Sequence, residues 1–169
     1  MKQKSVVLLS AGLDSSVNLY ESHKVHKVSL ALTFDYGQRA ASSEVRSAQV
    51  LCRDLSIQHK VVSLPFFKDF GKSSLICADQ DVPVGSAISI HDMKVSEKTA
   101  SSVWVPNRNG VFLNIAAGFA EALGAKYIIP GFNAEEAQTF PDNSEAFMGA
   151  LSRSFEYSTA NKVEVQCFT

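Results

Sequence analysis

Seven residues near the N-terminus, Ser10-Ala11-Gly12-Leu13-Asp14-Ser15-Ser16, have the makings of a phosphate-gripping turn. They follow the apolar run Val6-Val7-Leu8-Leu9 and lead into a segment with helical spacing. Backbone N–H groups in a turn of small residues can converge on an anion, and a helix N-terminus adds unpaired donors and a partial positive charge. The hydroxyls of Ser10, Ser15 and Ser16 add further donors. Ser and Asp also favour plain N-capping, so the turn taken alone marks either an anion site or a helix start. It is not a Walker A loop, having no Gly-Lys-Ser/Thr, nor a dinucleotide Gly-x-Gly-x-x-Gly.

Three later segments carry chemistry of their own. Phe34-Asp35-Tyr36-Gly37-Gln38-Arg39 follows a second apolar run. Ligands of doubly wound sheets sit outside the carboxyl ends of the strands, so this loop should flank the phosphate turn, with Tyr36 and Arg39 in reach of a nucleotide. Asp and Gly are equally ordinary turn formers. Val105-Pro106-Asn107-Arg108-Asn109 runs straight into a helical segment. A cation is unfavourable at a helix N-terminus, so Arg108 points to an anion, either a ligand carboxylate or phosphate or a structural ion-pair partner. Gly131-Phe132-Asn133 through Phe140-Pro141-Asp142 again follows an apolar run. Asp142 can serve an amino-bearing base or magnesium, or it can cap the helix that begins near Ser144, the plainer role for a lone Asp.

The first motif resembles the Ser-Gly-Gly-x-Asp-Ser signature of the PP-loop ATP pyrophosphatases, which split ATP between the α- and β-phosphates. In order and spacing, the four segments together are similar to those of the 7-cyano-7-deazaguanine synthase family, from Val6 to about Val165. The resemblance implies an ATP-dependent carbon–nitrogen ligase of queuosine biosynthesis, which converts 7-carboxy-7-deazaguanine and ammonia to the 7-cyano base through adenylate and amide intermediates. It implies an adenine nucleotide α-hydrolase-like fold. It implies that Ser10, Ala11, Gly12, Leu13, Asp14, Ser15, Ser16 and Phe34 hold ATP with Mg2+, and that Asp14, Ser15 and Arg108 are catalytic. Tyr36, Gln38, Arg39, Asn109 and Asp142 would bind the deazapurine acid. A homodimer is the family's habit. Two other readings stay open: another PP-loop adenylating ligase, amidating or tRNA-thiolating, and a nucleotide-binding relative without catalysis.

The chain departs from the family pattern at several points. Ala11 stands where the signature usually has Gly; if that position needs a positive φ, a Cβ there costs about 1 kcal/mol, and if it only needs room near a phosphate, the cost is steric. Ala40 replaces a frequent His, and Asn143 a usual Cys. The family normally continues past a strand like Val163 to Val165 into a lysine-bearing helix and a four-cysteine zinc site. The expectation is therefore a single PP-loop domain over 1–169, incomplete at its C-terminus, with Zn2+ only if a cysteine-bearing segment lies beyond Thr169.

The elements that must position these residues follow from periodicity. Short buried strands are predicted at Ser5 to Leu9, Val28 to Phe34, Lys60 to Leu64, Tyr127 to Pro130 and Val163 to Val165. Helices are predicted from Asp14 to about His23, Ala40 to about Leu55, Asn109 to Leu123 and Ser144 to about Tyr157. Phe112, Ile115, Ala116, Phe119, Ala120 and Leu123 make the third a core helix, with Gly124 as its C-terminal cap. About Leu75 to Ser102 reads as a long loop. The alternation predicts an α/β fold, a doubly wound and mainly parallel sheet of about five strands flanked by helices.

Composition narrows the partners. A 46% hydrophobic, 20% charged chain of 169 residues is an ordinary soluble domain. Sixteen basic and 17 acidic residues, a net charge of -1, offer no general attraction to nucleic acid or anionic membranes. No signal-peptide core or membrane span is readable, which points to the cytoplasm and to small-molecule partners. Cys52, Cys77 and Cys167 read as reduced, small buried hydrophobes. His23 and His26 sit among lysines near a helix end and read as a solvated face or cap; no chemistry is assigned to any histidine, and no residue to a metal.

Overall fold

The computed structural model describes residues 1–70 and 104–169. The long loop expected at about Leu75 to Ser102, and Cys77 with it, lie outside the described residues. Five strands form one sheet: β1 (Lys4–Leu8), β2 (Lys27–Asp35), β3 (His59–Ser63), β4 (Tyr127–Ile129) and β5 (Glu164–Val165). Their order is β3-β2-β1-β4-β5, and every neighbouring pair is parallel. The helices are α1 (Leu13–Val25), α2 (Ala41–Asp54), α3 (Arg108–Leu123) and α4 (Glu145–Ser158). Each expected strand and helix is present, with ends displaced by one or two residues.

Alternation along the strands divides the core into two layers. Val6, Leu30, Leu32, Phe34 and Ile128 turn to one face, where they meet Leu113, Ala116, Ala117 and Ala120 of α3 and Phe155 of α4. Val7, Ala31 and Ile129 turn to the other, against Leu19 of α1 and Ala48 and Cys52 of α2. Small residues at Ala116, Ala117 and Ala120, each 3% exposed or less, let α3 lie close on the sheet. The helix ends at Gly124, whose φ of 61° is the left-handed cap conformation.

Chain order explains where a site can form. From β1 the chain winds through α1, β2, α2 and β3 to one side, and β4 and β5 then add on the other side of β1. This reversal between β1 and β4 leaves a crevice outside the carboxyl ends of the central strands. On the far side of the core, Cys52 is buried, which pushes its thiol up to about 11 and leaves it a packing residue. Cys167 differs from the expectation: it is half-buried, and its thiol points to the Asn18 side chain and the Phe132 carbonyl, at 3.3 and 3.4 Å. His26 is the C-terminal cap of α1, its ring nitrogen 3.1 Å from Gln166 Oε1.

Leu19 is fully buried between α1 and the sheet. Leu19→Ala is expected to cost about 2–5 kcal/mol, measured as a lower urea midpoint with an unchanged m-value.

Candidate functional site

A cavity of about 250 Å3 opens at the carboxyl ends of β1, β2 and β4. Its lining includes Ser10 and Ser15 from the phosphate turn, Phe34 and Tyr36 from the end of β2, and Arg108 and Asn109 from the start of α3. Gly131 and Phe132 after β4, with Glu136 and Asn143, complete the wall. A second cavity of about 260 Å3 adjoins it, lined by Trp104, Val105, Phe140 and Asp142, and shares Arg108, Glu136 and Asn143 with the first.

The phosphate turn is built from side chains that do not cap. Gly12 is the N-cap of α1, and no side chain bonds to the helix end from that position. The Ser10 and Ser15 hydroxyls share a hydrogen bond of 3.1 Å, and Ser15 also donates to the Gly12 carbonyl at 3.2 Å. The plain N-capping alternative therefore fails here. Ala11 has φ 61°, so this position does use the left-handed region, at a cost of about 1 kcal/mol for an alanine. Such strain persists where surrounding structure imposes it, often at a binding turn. Behind the turn, Gly131 is pressed against α1: a Cβ there would lie 2.6 Å from Ser15 Cα. Asp14 occupies the first turn of α1, half-buried, while Leu13 is 80% exposed.

The loop after β2 is braced from within. Gln38 is buried; its amide oxygen accepts from Tyr36 N at 3.0 Å, and its amide nitrogen donates to the Phe34 carbonyl at 3.0 Å and to Glu44 Oε2 at 2.8 Å. Asp35 accepts from Gly37 N at 3.1 Å, as in an ordinary strand-end turn. Phe34 stacks on Phe112 with centroids 4.3 Å apart, and Tyr36 packs on Phe67 and Phe112. Phe34, Tyr36 and Phe112 line the first cavity as its apolar floor, with Phe67 buried behind them. Arg39 is exposed and lines neither cavity.

Arg108 is held at the opening of α3 by Asn107, which takes the left-handed conformation, φ 50°. The ion pairs among the described residues, Lys24–Glu21 and Lys126–Glu164, do not involve Arg108, so a structural salt bridge does not account for it there. Its Nε donates to Asn109 Oδ1 at 3.4 Å. Asn109 Nδ2 donates to Asn143 Oδ1 at 2.9 Å, and Asn143 Nδ2 to Glu136 Oε2 at 2.9 Å. This chain of amides ties the start of α3 to the segment after β4. Asp142 does not cap α4: Ser144 does, accepting from Phe147 N at 3.2 Å. Burial pushes the Asp142 carboxyl above its usual range, outweighing the neighbouring Arg108 charge and local hydrogen bonds that pull it down. Glu136 and Asn143, which both cavities share, are among the wall residues that motif reading had not placed in the site.

A model of the family described as queuosine biosynthesis protein QueC matches residues 4–167. The chain belongs to that family. It is 61% identical over 168 residues to the 7-cyano-7-deazaguanine synthase of Bdellovibrio bacteriovorus, covering 99% of this chain and 73% of that protein. With the synthase of Carboxydothermus hydrogenoformans the identity is 48%, covering 99% of this chain and 77% of the relative. With that of Methanocaldococcus jannaschii it is 45%, covering 96% and 69%. Among solved structures, the NH3-dependent NAD synthetase of Campylobacter jejuni is similar at a TM-score of 0.47 with 17% identity, over 80% of this chain and 50% of that one.

Two outcomes test this geometry. Gly131→Ala forces a Cβ into the backbone of Ser15 and is expected to destabilise by about 1–3 kcal/mol, whereas Gly118→Ala, with no described atom within 4 Å of the new methyl, is expected to stabilise by up to about 1 kcal/mol; urea unfolding of both reads the contrast. Because the Asp142 carboxyl sits above its unfolded value, it favours the fold while protonated, and that contribution is lost as pH rises through its folded pKa. Asp142→Asn is therefore expected to raise stability relative to the parent at neutral pH, the gain vanishing as pH falls below the ordinary carboxylate range, as followed by melting temperature against pH.

Proposed function

We propose that the chain is an ATP-dependent ligase that makes 7-cyano-7-deazaguanine, the product for which its relatives are named, from 7-carboxy-7-deazaguanine and ammonia. The observation that carries this reading is that the phosphate turn and Arg108 line one cavity, so a nucleotide phosphate and an acid can meet there.

The residues fit the co-substrate. The Ser10 and Ser15 hydroxyls and the N-terminus of α1 supply donors for phosphate oxygens, and Phe34 supplies an apolar floor. Asp14, on the first turn of α1, would supply a carboxylate to Mg2+, and this ion would neutralise charge on the phosphates. Arg108 orients the acid carboxylate for attack of its oxygen on the α-phosphorus, expelling pyrophosphate. The turn donors and Arg108 then stabilise the charge that develops on phosphate. Ammonia displaces AMP to give the amide. Its oxygen attacks a second ATP in the same way, and loss of AMP with the two amide protons leaves the nitrile. Asp142, with Asn109 behind it on the shared wall, holds the base, while Tyr36 lines the nucleotide side and Gln38 braces the loop that carries it. A homodimer in the cytoplasm belongs to the same reading.

The test is incubation with ATP, Mg2+, ammonium and the carboxy base, with AMP and nitrile followed by chromatography. Formation of both supports the proposal. AMP with other acceptors only would point to a different ligase, and ATP binding without turnover to a non-catalytic relative. Arg108→Ala is expected to lower kcat on the order of 10²-fold, the scale for loss of one transition-state charge partner.

A further inference from the structure

The second cavity holds a feature for which neither the phosphate turn nor Arg108 accounts. Trp104, just ahead of Val105, and Phe140, just ahead of Pro141, lie with ring planes 7° from parallel and centroids 6.3 Å apart. Both line the cavity, and Trp104 is 38% exposed although it is among the largest apolar side chains in the chain. Around the rings are one cation, Arg108, two carboxyl groups, Glu136 and Asp142, and the Asn143 amide.

Parallel aromatic faces with a mixed polar rim suit a flat heteroaromatic ring that carries both donors and an acid group. The faces stack on the ring, which costs little specificity because every base has a π-surface. The carboxylates accept from ring N–H and amino groups; Glu136 spends one acceptor position on Asn143 and a carboxylate has about four. Arg108 takes the acid group bidentately.

We propose that Trp104 and Phe140 form an aromatic slot on which the deazapurine ring stacks, its carboxylate directed at Arg108 on the wall shared with the first cavity. This rests on the synthase reading and assigns the two substrates to different halves: nucleotide in the cavity at the phosphate turn, base in the cavity beyond Arg108. Trp104 and Phe140 are then specificity residues for the base.

Trp104 is the single tryptophan of the chain, so intrinsic fluorescence reports on the slot directly. Titration of the wild-type protein with 7-carboxy-7-deazaguanine should quench that emission to saturation, while a non-hydrolysable ATP analogue alone should not. Trp104→Ala and Phe140→Ala should each raise KM for the acid about tenfold or more and leave KM for ATP within about twofold, with Trp104→Phe and Phe140→Tyr restoring most of the loss. Quenching by the ATP analogue instead of the acid, or an unchanged KM for the acid in both alanine variants, would overturn the slot. The wild-type titration decides even if an alanine variant fails to fold. If the wild type makes nitrile yet shows neither effect, the slot alone is wrong; if it makes no nitrile from the acid, the synthase reading falls first.

Discussion

All five strands run the same way, and everything at the site depends on that. A parallel sheet must return to its starting edge after each strand, so its turns of one kind all gather at the carboxyl ends. With β1 in the centre, the segments after β1, β2 and β4 become neighbours although the strands end at Leu8, Asp35 and Ile129, 27 to 121 residues apart in sequence. The approach of Gly131 to Ser15 shows how tight that meeting is: the segment after β4 lies against the first turn of α1, with no room for a methyl group between them.

The same layout explains which parts were legible in the sequence. Buried strands such as Val6-Val7-Leu8 and the apolar spacing of α3 are local patterns, and they were readable because one residue's burial predicts its neighbour's. The phosphate turn, Arg108 and the Phe140-Pro141-Asp142 segment were readable as motifs. What was not readable is who bonds to whom. Gln38 spends its amide on the loop it belongs to and on Glu44 of α2, and Ser144, not Asp142, caps α4. The amide chain from Asn109 through Asn143 to Glu136 joins residues 34 positions apart, and no periodicity encodes such a link. Asn143, visible in the sequence as a departure at a usual cysteine, proves to be the middle of that chain.

Ala11 gives the converse lesson. The sequence posed an alternative, backbone strain or steric crowding, and the left-handed φ resolves it. Strain of about 1 kcal/mol is tolerable in a domain that buries two full faces of its sheet. It also fixes the direction in which the turn's N–H groups face, so the penalty and the binding geometry come from the same dihedral.

Arg108, Glu136 and Asn143 belong to the walls of both cavities. A ligand that settles in one half sets the posture of side chains that the other half also uses. Whatever factor this introduces is symmetrical by thermodynamic necessity: if the nucleotide tightens the hold on the acid, the acid tightens the hold on the nucleotide equally. A common wall is thus where any coupling between the two binding equilibria would arise, with no movement of the sheet beneath it required.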